Sequence, residues 1–112
     1  MDKEEIEIGK VFSINDIIDY VPDSIISKTL LKKLTGVIDL ASYESGKELT
    51  SKVYPFETFV MLLEGKASIT FNNKVNLITA FQSIIIPPHL NYTISAVERF
   101  KLLTVIIKSG YE

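Results

Sequence analysis

From position 24 onward, short runs of β-branched and aromatic residues recur along the chain, broken by Gly, Asn, Pro and charged residues. Each run has the length and composition of a β-strand. The first covers 24–30; Lys32, Lys33, Leu34, Thr35 and Gly36 follow, then a second run over 37–43, and the pair reads as a hairpin closed by Glu44, Ser45 and Gly46. A strand over 59–63, a turn at Glu64 and Gly65 and a strand over 66–71 come next. Asn72 and Asn73 suit a tight turn because asparagine tolerates positive φ, and they lead into a strand over 75–78. Further strands are predicted over 82–86 and 92–96, with a long closing strand over 100–108. The one helical signal lies ahead of these runs: Ser13 can cap a short helix over 13–20, with Asp16 in its first turn. Strands at intervals of about 8–12 residues indicate an all-β sandwich or barrel. Periodicity alone does not choose between a jelly roll and an up-and-down barrel, because both deal with exposed edges by closure or by double sheets.

Composition narrows this to one folded unit. A chain of 112 residues supports one compact core, removing roughly two-thirds of its unfolded surface from water. Residues 1–23 are accordingly read as an extension and 24–108 as the barrel of a single domain. A hydrophobic share of 46% beside a charged share of 23% is ordinary for a globular protein, so disorder is not expected beyond the ends. The net charge is −2 and Arg99 is the one arginine, which leaves no basic stripe able to neutralise several phosphates; nucleic acid is not an expected partner. Without cysteine, disulfides, thiolate metal sites and thiol nucleophiles are excluded. The opening residues are acidic, unlike the basic patch and apolar run of a secretory signal. The longest apolar stretches, 59–63 and 84–88, fall far short of the roughly 20 residues that span a bilayer. A cytoplasmic location without membrane association is the resulting expectation.

Two segments carry more specific information. The first runs from Gly46 to Gly65 and contains Lys52, Tyr54 and Thr58; the second runs from Phe81 through a strand ending at Pro87 to His89 and Tyr92. In this spacing the chain resembles the cupins, whose first motif passes from a glycine through His-x-His and a glutamate to a second glycine. The second cupin motif begins with a glycine, passes a proline and ends on a histidine. The resemblance covers about residues 27–108 and implies a double-stranded β-helix, the jelly-roll barrel, preceded here by a short N-terminal helix. It also implies a homodimer formed through N-terminal strand exchange, with the region before Gly36 as the exchanged piece. The metal-binding positions of the motifs fall on Lys52, Tyr54, Thr58 and Tyr92. A divalent transition metal favours imidazole and carboxylate, whereas lysine must first lose its proton and a neutral phenol is a poor ligand. No metal and no other cofactor is therefore expected. The stretch 53–57 resembles the Ala-Pro-Phe-Asp-like sequence with which short cupins follow a single remaining histidine, and here even that histidine is Lys52. Phe81 takes the place of the second motif's first glycine. Positive φ there would strain an aromatic residue by about 1 kcal/mol or more, and packing of its ring under the barrel rim is the expected compensation.

If the family geometry carries over, Lys52, Tyr54, Thr58 and Tyr92 point into the barrel mouth, and together with His89 they form the candidate ligand-binding set. Lys52 can hold an anionic ligand, act as a base or Schiff-base amine if desolvation lowers its pKa, or carry its ammonium out to water. Tyr54 is read as filling space and Tyr92 as lining the pocket, where its hydroxyl can donate to a ligand oxygen. Thr58 offers a hydroxyl without charge and otherwise suits a strand. His89 is the single histidine and reads more readily as a solvated turn residue than as an acid or base. Glu57 is one residue away from the glutamate position, and a shift of one in a strand turns the side chain to the opposite face.

Two main readings stay open. One is a non-enzymatic dimeric barrel that binds a small organic molecule, anionic or neutral, at its mouth or is purely structural. The other is a metal-independent isomerase or epimerase with Lys52, Tyr92 and His89 as acid-base groups. A metalloenzyme recruiting His89 and Glu57 would have too few ligands. The discriminating property is the state of the cavity: open and lined by Lys52 and Tyr92, or plugged by Tyr54, Phe56 or Met61.

Overall fold

The computed structural model of the protein describes residues 6–108. Within them lie seven strands: β1 (Ile25–Lys33), β2 (Gly36–Tyr43), β3 (Glu48–Thr50), β4 (Thr58–Phe71), β5 (Lys74–Thr79), β6 (Ser83–Ile86) and β7 (Thr93–Ile107). Every pairing is antiparallel. The long strands β4 and β7 run side by side and serve two groups of neighbours. Residues 58–61 of β4 pair with β6, while the adjoining part of β7 pairs with β2, whose other edge takes β1. Residues 66–71 of β4 pair with β5, and the start of β7 pairs with β3. The order is thus β1-β2-β7-β4-β6 in one layer and β3-β7-β4-β5 in the other, the jelly-roll alternative. Val60, Leu62 and Leu102 from the first layer meet Ala67, Ile69 and Ile94 from the second in a core that also contains Tyr43 and Phe100.

Two strands that the pattern splits are continuous in the structure. Gly65 is not a hairpin turn: β4 passes straight through it, and the register against β7 shifts on both sides of it. Its φ is +90°, and a Cβ added there would lie 2.0 Å from the carbonyl oxygen of Arg99. Only glycine has both the conformation and the clearance for this bulge. Opposite it, the runs 92–96 and 100–108 join as β7, with Val97, Glu98 and Arg99 exposed where the strand bends. A glycine inside a strand looks like a turn in sequence, but a bulge lets the chain continue while redirecting it from one layer to the other.

The helix predicted over 13–20 is a single 3-10 turn, Ile14–Asp16, and Ser13 makes no side-chain capping bond. Ile17 and Ile18 are both buried, so this segment lies as an irregular strap on the outer face of the first layer, against Leu40 and Leu63. Three bonds tie it to the sheet rather than into a helix, while Asn15 Oδ1 is buried without a partner among the described residues. Lys101 Nζ donates to Asn15 O at 2.7 Å, Ser42 Oγ donates to Asp19 O at 2.8 Å, and the Tyr20 hydroxyl donates to Glu64 Oε2 at 2.6 Å. Strand β1, in the region expected to be exchanged, pairs with β2 of its own chain.

The turn expected at Asn72 and Asn73 is present, with φ of +52° and +61° as a type I′ turn requires. Phe81 does adopt positive φ, +68°, but its ring is 74% exposed rather than packed under the rim. Hydrogen bonding supports that turn instead: Phe81 N donates to Leu62 O, and Gln82 Oε1 accepts from both Thr79 N and Thr79 Oγ1.

Candidate functional site

The cavity that contains candidate residues opens between β1 and β2 on one side and the β3 end with its following loop on the other. Its volume is about 340 Å³. Asp39, Ala41 and Tyr43 alternate along β2 and share the face that lines it. Leu102 and Thr104 of β7 form a second wall, and Leu49 with Ile94 closes the apolar side. Lys52, Tyr54 and Tyr92 complete the lining.

Main-chain bonds hold the loop that carries Lys52 and Tyr54. Ser51 N donates to Tyr92 O at 2.8 Å, and His89 N donates to Tyr54 O at 2.7 Å. Ser51 Oγ accepts from Tyr92 N and donates to Lys52 O. The loop after β3 is therefore fastened to the segment entering β7, and the side chains at 52, 54 and 92 come to one mouth for that reason. Lys52 is exposed at this mouth, whereas Tyr54 and Tyr92 are half-buried.

Burial sets the electrostatics. It raises the Tyr43 phenol to about 12, with nearby Tyr92 adding to the effect. Tyr43 is itself 3% exposed, and its ring stacks on Phe100 with centroids 4.5 Å apart. Tyr92 is also raised, first by burial and then by Tyr54, with a hydrogen bond from Thr58 pulling the other way. At neutral pH these buried phenols are uncharged donors beside an exposed ammonium.

The sequence candidates thus separate. Lys52, Tyr54 and Tyr92 are together in the cavity wall, while Thr58 is buried behind Tyr92 and does not line it. His89 is exposed at φ +67° and lies outside the lining. Glu57 is also exposed and faces a separate outer groove with Phe59 and Ile85. Met61 packs on the outer cluster beneath the strap, so neither it nor Phe56 lines the cavity, and Tyr54 contributes wall without closing it. Sequence reasoning missed Asp39 and Tyr43. The alternation of 39, 41 and 43 on one strand face was the available signal, but both precede the motif that begins at Gly46.

The donor set at positions 52, 54, 58 and 92 does not suit a transition metal. It consists of an ammonium, two phenols and a threonine hydroxyl, and among the described residues no three His, Cys, Asp or Glu side chains are grouped to hold an ion.

No protein-family model matches the sequence, and no curated protein matches it. Solved structures do match. A cupin superfamily protein from Desulfitobacterium hafniense superposes with a TM-score of 0.86 at 20% identity, over 97% of this chain and 100% of that one. The fold is that of the cupins. A cupin 2 conserved barrel domain protein from Leptotrichia buccalis gives a TM-score of 0.81 at 24% identity, over 87% of this chain and 47% of its own. A conserved protein of unknown function from Streptococcus pyogenes gives 0.85 at 27% identity, over 96% and 95%. Among the described residues no helix is long and apolar enough to cross a membrane.

Proposed function

We propose that this cupin barrel binds a small organic molecule at its mouth without a resident metal, as a binding protein rather than an enzyme. One observation carries the reading: the cavity of about 340 Å³ is open and lined by Lys52, Tyr54 and Tyr92. That volume falls at the lower end of the range of roughly 300–1,000 Å³ typical of small-molecule sites. The exposed Lys52 ammonium attracts a negatively charged ligand to the entrance, and the tyrosines supply both apolar surface and hydrogen-bond donors. An acid-base mechanism has less support, since His89 is outside the lining and the buried phenols are shifted away from neutrality.

The reading includes a homodimer formed through the segment before Gly36, which carries β1, the edge strand of its layer. Native mass spectrometry of tag-free protein beside its denatured mass tests both parts. The expected species has twice the 12.6 kDa chain mass, alone or with an organic adduct that a Lys52→Met variant loses. Stoichiometric transition metal would overturn the metal-free reading, and a monomer at all accessible concentrations would overturn the dimer.

A further inference from the structure

We propose that the group recognised inside the cavity is a carboxylate, taken by the converging phenols of Tyr43, Tyr54 and Tyr92, on a compact molecule whose remaining body is apolar. The proposal rests on the binding reading above and adds the chemical class of the ligand and Tyr43 as a binding residue.

The inference comes from which hydrogen-bonding capacity the fold leaves unused. Several polar groups of the wall are already engaged. Thr50 bonds Thr93, Ser51 bridges Lys52 O and Tyr92 N, Thr104 donates to Asp39 O, and Asp39 Oδ1 accepts from Thr29. Among the described residues, the Tyr43 and Tyr54 hydroxyls and the Lys52 ammonium have no hydrogen bond within the chain, and Tyr92 shares one with Thr58, which leaves its hydroxyl a second bonding position. Phenols can donate or accept, but an ammonium only donates, so away from Ser27 and the Asp39 carboxylate the free set is donor-rich and positively biased. Its natural complement is an anionic oxygen with more than one lone pair to offer. A carboxylate has two such oxygens and can meet several donors at once.

Asp39 decides the orientation. Its charge on the β2 wall disfavours an anion beside it, so the carboxylate is assigned to the end of the cavity away from Asp39, where Tyr43 neighbours Tyr92 and Tyr92 neighbours Tyr54. Ala41, Leu49, Ile94 and Leu102 leave apolar surface for the rest of the molecule. A cavity of about 340 Å³ has room for a planar acid of about the size of cinnamate.

The test is a titration of isotope-labelled protein with cinnamate and, separately, cinnamyl alcohol, followed by amide NMR shifts. It is repeated on a Tyr54→Phe/Tyr92→Phe double variant and on Tyr43→Phe, with spectral dispersion reporting that each variant folds. The expected result is saturable shifts around 43, 54, 92 and 94 with cinnamate. Binding is expected to weaken at least tenfold for the alcohol and for the double variant, and several-fold for Tyr43→Phe. If the alcohol binds as tightly as the acid, or the double variant binds cinnamate within twofold of the parent, carboxylate recognition by the phenols is refuted while the binding cavity stands. If neither compound perturbs the cavity residues at about 10 mM, the binding reading fails together with this one.

Discussion

Replacing Gly65 by alanine inserts a methyl group where the barrel has no room. The added Cβ would lie 2.0 Å from Arg99 O, 2.7 Å from Phe100 Cα and 2.8 Å from Phe100 Cβ. The first two are main-chain atoms of β7, which is held between β2 and β4 and cannot yield as a flexible side chain would. The φ of +90° adds a backbone penalty of roughly 1–2 kcal/mol for any residue with a Cβ. Forced displacement of a packed neighbour costs about 1–3 kcal/mol more. A loss of about 4 kcal/mol is therefore expected, a large part of the roughly 5–15 kcal/mol that holds a domain together. Gly46→Ala provides the control, because its φ is +81° but nothing lies within 4 Å of the added atom. It isolates the conformational cost and should lose about 1 kcal/mol. Urea unfolding of both variants, compared at equal slope, gives the difference. The reasoning is refuted if Gly65→Ala loses no more stability than Gly46→Ala. Because Phe100 stacks on Tyr43, the displacement at β7 should also reach the cavity wall and broaden the Tyr43 ring signals.

Stability should fall in alkali: folded Tyr43 keeps its proton to about 12, while the unfolded phenol loses it near 10. Its contribution is complete below about pH 10 and declines by about 1.4 kcal/mol per pH unit until the folded phenol titrates. Tyr20 and Tyr92 shift in the same direction. Urea midpoints that stay level between about pH 9 and pH 11 would contradict this. Ile17→Ala should cost about 2–4 kcal/mol, since Ile17, which anchors the strap to the sheet, is 2% exposed; a loss under about 1 kcal/mol in the same assay would mean that the strap is not part of the cooperative unit. Phe81→Asn should gain about 0.5–1 kcal/mol, because asparagine tolerates the φ of +68° and the phenylalanine ring is largely in water. A drop in thermal midpoint would refute that account of the turn.

The strands most legible in sequence were those whose alternation ends in turn chemistry. The Asn72-Asn73 turn and the strand stopping at Pro87 needed no tertiary information, and the resemblance to the cupins, not periodicity, selected the jelly roll. What stayed hidden depended on contacts between distant segments. Gly65 has the same residue signature in a turn and in a bulge, and only the approach of Arg99 and Phe100 distinguishes them. Glu48–Thr50 is short and wholly exposed, so it has no buried face from which a strand could be inferred, yet it pairs with β7. The segment before β1 resembles a capped helix locally, but buries Ile17 and Ile18 together, and its polar bonds run to the sheet. Of the site, Lys52, Tyr54 and Tyr92 were found through motif position, whereas Tyr43 is brought in by strand alternation and by the stacking of its ring on Phe100.

The loop bearing Lys52 and Tyr54 keeps its shape through Ser51 N to Tyr92 O and His89 N to Tyr54 O, bonds that involve no side chain at 52, 54 or 92. Shape and chemistry are thereby uncoupled at the rim. A side chain at any of these three positions can be exchanged without removing either clasp, so new ligand preferences are reachable by single substitutions that leave the frame intact. The barrel mouth is in this sense a socket with interchangeable contacts, and a library varied only at 52, 54 and 92 would sample ligand chemistry on a constant backbone.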